Sequence, residues 1–166
     1  MRCKIILTGP ECSGKTTLCK KLAEYFKLPY NQEYAREYLG KLNRKYVKSD
    51  LLNIAKKQLE YEKEKKLLDT DLLTIKVWSE FKYGVCHEWI LNTIKKQQSQ
   101  SRFYLLCRGD IEWENDPLRE NRYNREEIFN LYEKELMRFQ HQYYIIEKEN
   151  RLQDAISKIK ELQKIN

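Results

Sequence analysis

Gly9-Pro10-Glu11-Cys12-Ser13-Gly14-Lys15-Thr16-Thr17 satisfies the spacing G-x-x-x-x-G-K-[ST]. It follows the apolar run Ile5-Ile6-Leu7 and precedes a helical pattern. In that context, backbone N–H groups and the positive end of the helix converge on an anion. The expected ligand is a nucleoside triphosphate. Gly14 would let the backbone approach the phosphates, Lys15 would bridge the β- and γ-phosphates, and the Thr16 hydroxyl would reach Mg²⁺. Phosphate binding alone does not define a reaction, because kinases, GTPases, ATPase motors and switches share this loop. There is no Asn/Thr-Lys-x-Asp pattern for reading guanine, and the chain is too short to add the helical lid domain of a ring-forming ATPase.

Three acids fall where a phosphoryl transfer would need them. Glu33 follows a short apolar segment, with Arg36 one helical turn later, so one could accept a hydroxyl proton while the other binds substrate. The alternative for Glu33 is an acid in the first turn of a helix. Asp69 ends the pair Leu67-Leu68 and stands where a carboxylate would hold Mg²⁺. Asp71 is either a substrate-binding group or the N-cap of the next helix. Farther on, "NDPLRENRYNREE" carries Arg119, Arg122 and Arg125. These either form a lid closing cations over the transferring phosphoryl group or pair with Glu120, Glu126 and Glu127 in a solvated loop. Trp113 either stacks on a planar ring or anchors that loop.

These groups must be carried by alternating strands and helices. We expect strands at Lys4–Thr8, Leu28–Gln32, near Leu67, at Arg102–Cys107 and in Tyr143–Ile146. Helices are expected at Thr16–Phe26, in "EYAREYLGKL", in "SDLLNIAKKQLEYEKEKK" with Ser49 as N-cap, and in "LLTIKVWSEF". Three more are expected in "HEWILNTIKK", at Glu126–Phe139 and at Leu152–Ile165, with Gly40 and Gly84 as breaks. This alternation predicts an α/β fold with a five-stranded parallel sheet covered on both faces and ligands at the carboxyl ends of the strands. No repeat or linker interrupts residues 1–166, so a single domain is expected.

Composition narrows the class. The chain has 166 residues, 41% of them hydrophobic, and a net charge of +7. A chain of this length can bury roughly 70% of its unfolded surface. No apolar run is long enough to span a membrane, and the N-terminus lacks a secretory pattern, so a cytoplasmic location is expected. The five cysteines lack metal-ligand spacing and suggest free thiols. Lysines and arginines alternate with glutamates along several helices, as in "EYEKEKK", which reads as solvated helix faces around a small anionic ligand rather than a nucleic-acid surface. Oligomeric state is left open.

Taken together, "LTGPECSGKTTL", "EYAREYL", "DLLNIAKKQ", "DTDLLTIKVWSE" and "DIEWENDPLRENRYNREEIF" resemble the ribosylnicotinamide kinase domain of bacterial NadR-type NAD-salvage proteins. The resemblance covers nearly the whole chain. It implies a P-loop fold of the nucleoside monophosphate kinase type with a short lid. It also implies ATP-dependent phosphorylation of the 5′-hydroxyl of nicotinamide riboside to the mononucleotide. Carried over, Gly9 to Thr17 would bind ATP, Glu33 and Arg36 would face the riboside, and Asp69 and Asp71 would serve metal and hydroxyl. Arg119 and Arg125 would match the lid, and Trp113 an aromatic suited to a pyridinium. The His-x-Gly-His motif of the family's adenylyltransferase domain does not occur; His87 and His141 are the two histidines. Arg108-Gly109 stands where the family tends to have proline, and "EKENRLQDAI" lacks its usual glycine. Another small-molecule kinase, or a regulatory ATPase without a metabolite acceptor, remains the alternative.

Overall fold

The computed structural model describes residues 3–165. In chain order the elements are β1 (Lys4–Thr8), α1 (Lys15–Phe26), β2 (Tyr30–Asn31), α2 (Tyr34–Gly40), α3 (Lys48–Tyr61), β3 (Leu67–Asp69) and α4 (Leu72–Tyr83). They continue with α5 (Glu88–Gln97), β4 (Arg102–Cys107), α6 (Arg125–Arg138), β5 (Gln142–Ile146) and α7 (Arg151–Ile165). The five strands form one parallel sheet in the order β2-β3-β1-β4-β5.

The direction of each crossover decides which face its helix covers. The chain leaves β1 toward the β2 edge through α1, then returns across the sheet through α2 and α3, α4 and α5, and α6. Right-handed crossovers place outward and returning helices on opposite faces. Two cores result. Ile5 and Leu7 of β1 and Phe103, Leu105 and Cys107 of β4 point toward α1 and α7, where they meet Leu18, Leu22, Ala155 and Ile159. Ile6, Tyr104 and Leu106 point the other way, onto α3, α4 and α6. Consecutive residues Ile5 to Leu7 and Phe103 to Cys107 are therefore buried, as a parallel sheet covered on both faces requires.

The local expectations hold with adjustments at the ends. β2 is two residues rather than five: it pairs only with β3, at Tyr30 and Asn31, and Pro29 before it has no N–H for a ladder. β3 is short but present, extended by Asp69 opposite Leu7. Ser49 is not the N-cap of α3, which begins at Lys48. Asp50 instead accepts from the Val47 N–H at 2.7 Å while binding Arg44. Gly84 closes α4 at φ +70°. The five cysteines are free. Among the described residues no helix is long and apolar enough to cross a membrane.

Candidate functional site

Where β1 ends, the chain must turn beneath β4. Gly9 does so at φ +132°, and a Cβ there would sit 2.3 Å from the Cys107 carbonyl oxygen. No other residue type fits, so this glycine sets the path of the loop. Gly14 in the left-handed region then starts α1. Lys15 folds back over the loop, its Nζ donating to the carbonyls of Gly9 at 2.9 Å and Pro10 at 2.6 Å. The ammonium thus lies over the ring of loop amides that the sequence pattern assigns to phosphates.

The acids arrive from neighbouring strands. β1 and β3 are adjacent, so Asp69 sits beside the first turn of α1. It is 1% exposed, and its Oδ1 has no hydrogen-bond partner in the protein. Burial raises its carboxyl above the ordinary carboxylate value, while a hydrogen bond from Thr16 and the Lys15 charge draw it back. Its backbone is fixed by Asn31, whose Oδ1 accepts from the Asp69 N–H at 2.8 Å. Glu33 precedes α2 and makes no side-chain cap bond there, which leaves its carboxylate to the cleft. Burial raises its value too, opposed by Lys15, Arg36 and Arg119. The job of capping α2 falls to Gln58 of α3, whose Oε1 accepts from the Tyr34 N–H at 2.8 Å while its Nε2 reaches the Thr70 carbonyl at 3.3 Å.

A cavity of about 220 Å³ opens at the carboxyl ends of the strands, with Lys15 and Glu33 among its lining. The phosphate loop from Gly9 to Thr17 forms one wall, with Glu11, Cys12 and Ser13 among its lining. Glu33 and Arg36 form another. Arg119, Leu118 and Glu114 roof it, and Trp78, Tyr132, Ala35 and Leu39 supply its apolar side.

The segment between β4 and α6 is tied down at several points. Glu11 Oε2 accepts from the backbone N–H of Glu120 at 3.0 Å and of Asn121 at 2.9 Å. Arg36 pairs with Asp116 at 2.7 Å. Glu120 binds Lys82 at 2.8 Å and accepts from the Tyr46 hydroxyl at 2.7 Å. Arg119 donates to the Glu114 carbonyl at 2.6 Å and lies 3.4 Å from Cys12 Sγ. Arg151, which opens α7, donates to the carbonyls of Ser13 and Arg108 and pairs with Asp110, so it braces the phosphate loop from behind.

Four expected site residues lie outside the cavity lining: Asp69, buried beside the first turn of α1, and three placed as follows. Asp71 lies on the α4 face of the sheet, outside the cavity lining. Its Oδ1 caps α4 at the Leu73 N–H, 3.0 Å away, and its Oδ2 accepts from the Tyr104 hydroxyl at 2.7 Å and from Arg102 at 3.1 Å. With both carboxylate oxygens taken by these donors, it holds structure rather than substrate. Arg125 donates to the carbonyls of Cys12 (3.3 Å) and Ile111 (2.8 Å), pinning lid to loop outside the cavity lining. Trp113 is flanked by the guanidinium groups of Arg119 and Arg125, at 5.9 and 5.6 Å from its ring, and it too is outside the lining. The aromatic surface in the cavity belongs to Trp78 and Tyr132, which sequence reading missed. Thr74 and Trp78 stand one helical turn apart on α4, a spacing that would have revealed their shared face.

A phosphate loop at the head of a parallel sheet, with an acidic residue ending the adjacent strand, defines a P-loop NTPase fold. The chain belongs to the AAA domain family AAA_28, whose model matches residues 4–153. No curated protein sequence matches it. Among solved structures it is similar to a NadR protein in complex with NR, at TM-score 0.74 and 21% identity over 96% of this chain and 51% of that one. A NadR protein in complex with NAD and AMP-PNP matches at TM-score 0.71 and 19% identity, over 96% and 49%. The YorR protein of Bacillus subtilis, in complex with phosphorylated GDP, matches at 0.60 and 20% identity, over 98% of both chains. The chain therefore spans about half the length of the NadR chains. At these identities the likeness is one of fold.

Proposed function

We propose that the protein is an ATP-dependent small-molecule kinase that phosphorylates the 5′-hydroxyl of a riboside, with nicotinamide riboside as the leading acceptor. One observation carries the reading: Glu33, with its side chain uncommitted and its carboxyl raised by burial, shares a cavity with Lys15 and the phosphate loop. An acid placed there suits the activation of an attacking hydroxyl. The NadR structure with NR supports the choice of acceptor, as does the apolar wall of Trp78 and Tyr132, suited to a flat ring.

In this reading the acceptor's hydroxyl oxygen bonds to the γ-phosphorus, the bond to the bridging β–γ oxygen breaks, and ADP leaves. Glu33 orients the hydroxyl and takes its proton. Lys15 and Arg119 offset charge on the transferring group, and the clasped lid excludes water. The open Asp69 Oδ1 beside the Thr16 hydroxyl fits Mg²⁺, which takes one or two protein groups plus phosphate oxygens rather than a cage of side chains. Among the described residues no cluster of three His, Cys, Asp or Glu residues forms such a cage. Bound there, Mg²⁺ would neutralise phosphate charge.

The test is incubation with ATP, Mg²⁺ and either nicotinamide riboside, common nucleosides or no acceptor, with products identified by mass spectrometry. Conversion of the riboside to its mononucleotide supports the reading. ATP hydrolysis with every acceptor left intact overturns it.

A further inference from the structure

The cleft does not end at Glu33. A groove of about 660 Å³ shares Glu33 and Arg36 with it and runs outward past Tyr30, Tyr34 and Tyr61 to Lys63 and Lys65. From Tyr30 a second groove of about 610 Å³ continues along the β2 edge to Lys20 and Lys27. The acids on these walls are largely neutralised, since Glu37 pairs with Lys41 and Glu60 with Lys57, each at 2.7 Å. Lys20, Lys27, Lys63 and Lys65 make no ion pair among the described residues, and Glu24 is the remaining acid on the outer wall. Tyr34 and Tyr61 meet edge to face on this wall, at 5.4 Å between centroids.

A basic track interleaved with aromatic rings fits a ligand that alternates phosphates with flat bases. An acidic peptide would meet the charge but would not alternate it with flat rings that match the tyrosines. Although the charge pattern along the helices reads as solvated faces, its local gathering at this edge differs. We propose that the site also takes the 5′-hydroxyl end of a single-stranded polynucleotide, with its first ribose beside Glu33 and the following nucleotides along the β2-edge groove. This rests on the kinase reading above, in which a free riboside is the minimal acceptor. The 5′-oxygen bonds to the γ-phosphorus of ATP, its proton passes to Glu33, and ADP leaves, so no further reactant is required.

The experiment supplies labelled ATP and Mg²⁺ with free nicotinamide riboside, adenosine, and 5′-hydroxyl oligonucleotides of increasing length. The expected result is a kcat/KM for oligonucleotides about tenfold or more above that for nucleosides, levelling off once the groove is filled. In the K63E/K65E variant the ratio of oligonucleotide to riboside kcat/KM should drop about tenfold, and its salt dependence should weaken. The milder K63Q/K65Q variant gives the same direction if charge reversal impairs folding. No rise with length, or an unchanged ratio in both variants, overturns the groove assignment; continued riboside turnover would leave the kinase reading standing. ATP hydrolysis with no acceptor modified overturns both.

Discussion

Asp69 and Asp71 stand two residues apart, at 1% and 2% exposure, and have opposite fates. Asp69 lies beside Thr16 and Lys15 of the phosphate loop, with one oxygen unclaimed by the protein. Asp71 opens α4, where Arg102 ties it to Glu62 through hydrogen bonds of 2.6 and 3.0 Å, with Tyr104 alongside. Thr70 separates them at φ +70°, and this turn sends the two side chains to different surroundings. Burial is thus common to both, and the difference is unspent hydrogen-bonding capacity. A buried carboxylate whose oxygens are all taken stabilises the fold. One left open is costly to bury and implies a ligand.

Substitutions should separate these two kinds of residue, most strongly on the cleft side. Glu33→Gln should lower kcat about 10²- to 10⁴-fold with little change in the KM for ATP. The acid limb of the wild-type pH–rate profile should lie above the ordinary carboxylate value of 4.5, because burial disfavours the charged base, and should vanish in the variant. A limb that persists would remove Glu33 as base. Asp69→Asn should cost about 10²- to 10³-fold in turnover while leaving the Tm unchanged or higher, since the charge it removes is disfavoured by burial. Loss of stability with turnover intact would reverse the comparison.

Asp71→Asn should do the opposite, costing roughly 3 kcal/mol in urea unfolding by unbalancing a buried charge, with the KM for ATP preserved. The same side should also govern acid stability. His141, its ring 4.9 Å from that of Tyr104, has its value lowered from 6.5 to about 4 by burial and by Arg102. Between those values the unfolded chain takes up a proton that the folded chain refuses, so stability falls as pH drops from 6.5 toward 4. The loss from pH 7 to pH 5 should be about 2 kcal/mol and should shrink in His141→Phe. A pH-independent wild type would refute this. The smallest contrast is between the tryptophans: Trp78→Ala should raise acceptor KM by about 1 kcal/mol in binding, and Trp113→Ala should not.

Much of the scaffold was legible in local pattern. The phosphate loop needs glycines at fixed offsets and a following helix, and the apolar runs of β1 and β4 mark central strands. Trp113 and Arg125 show where such reading stops. Their types and positions suit a ligand, yet the lid packs them against each other and against loop carbonyls. Only the fold of that segment decides which of its cations reaches the cavity. Gln58 illustrates the converse, a glutamine inside a charged helix that caps α2 from across a crossover.

The sequence by itself determined the anion cradle and the strand-helix alternation, because both depend on residues close in the chain and on backbone sterics that few residue types satisfy. The tertiary structure decided which acid keeps an open oxygen beside the phosphate loop, which aromatic rings line the cleft, and that lysines scattered over α1 and the turn after α3 meet along one edge. Those outcomes depend on crossover direction and on a single positive φ at Thr70, which side-chain types do not encode locally.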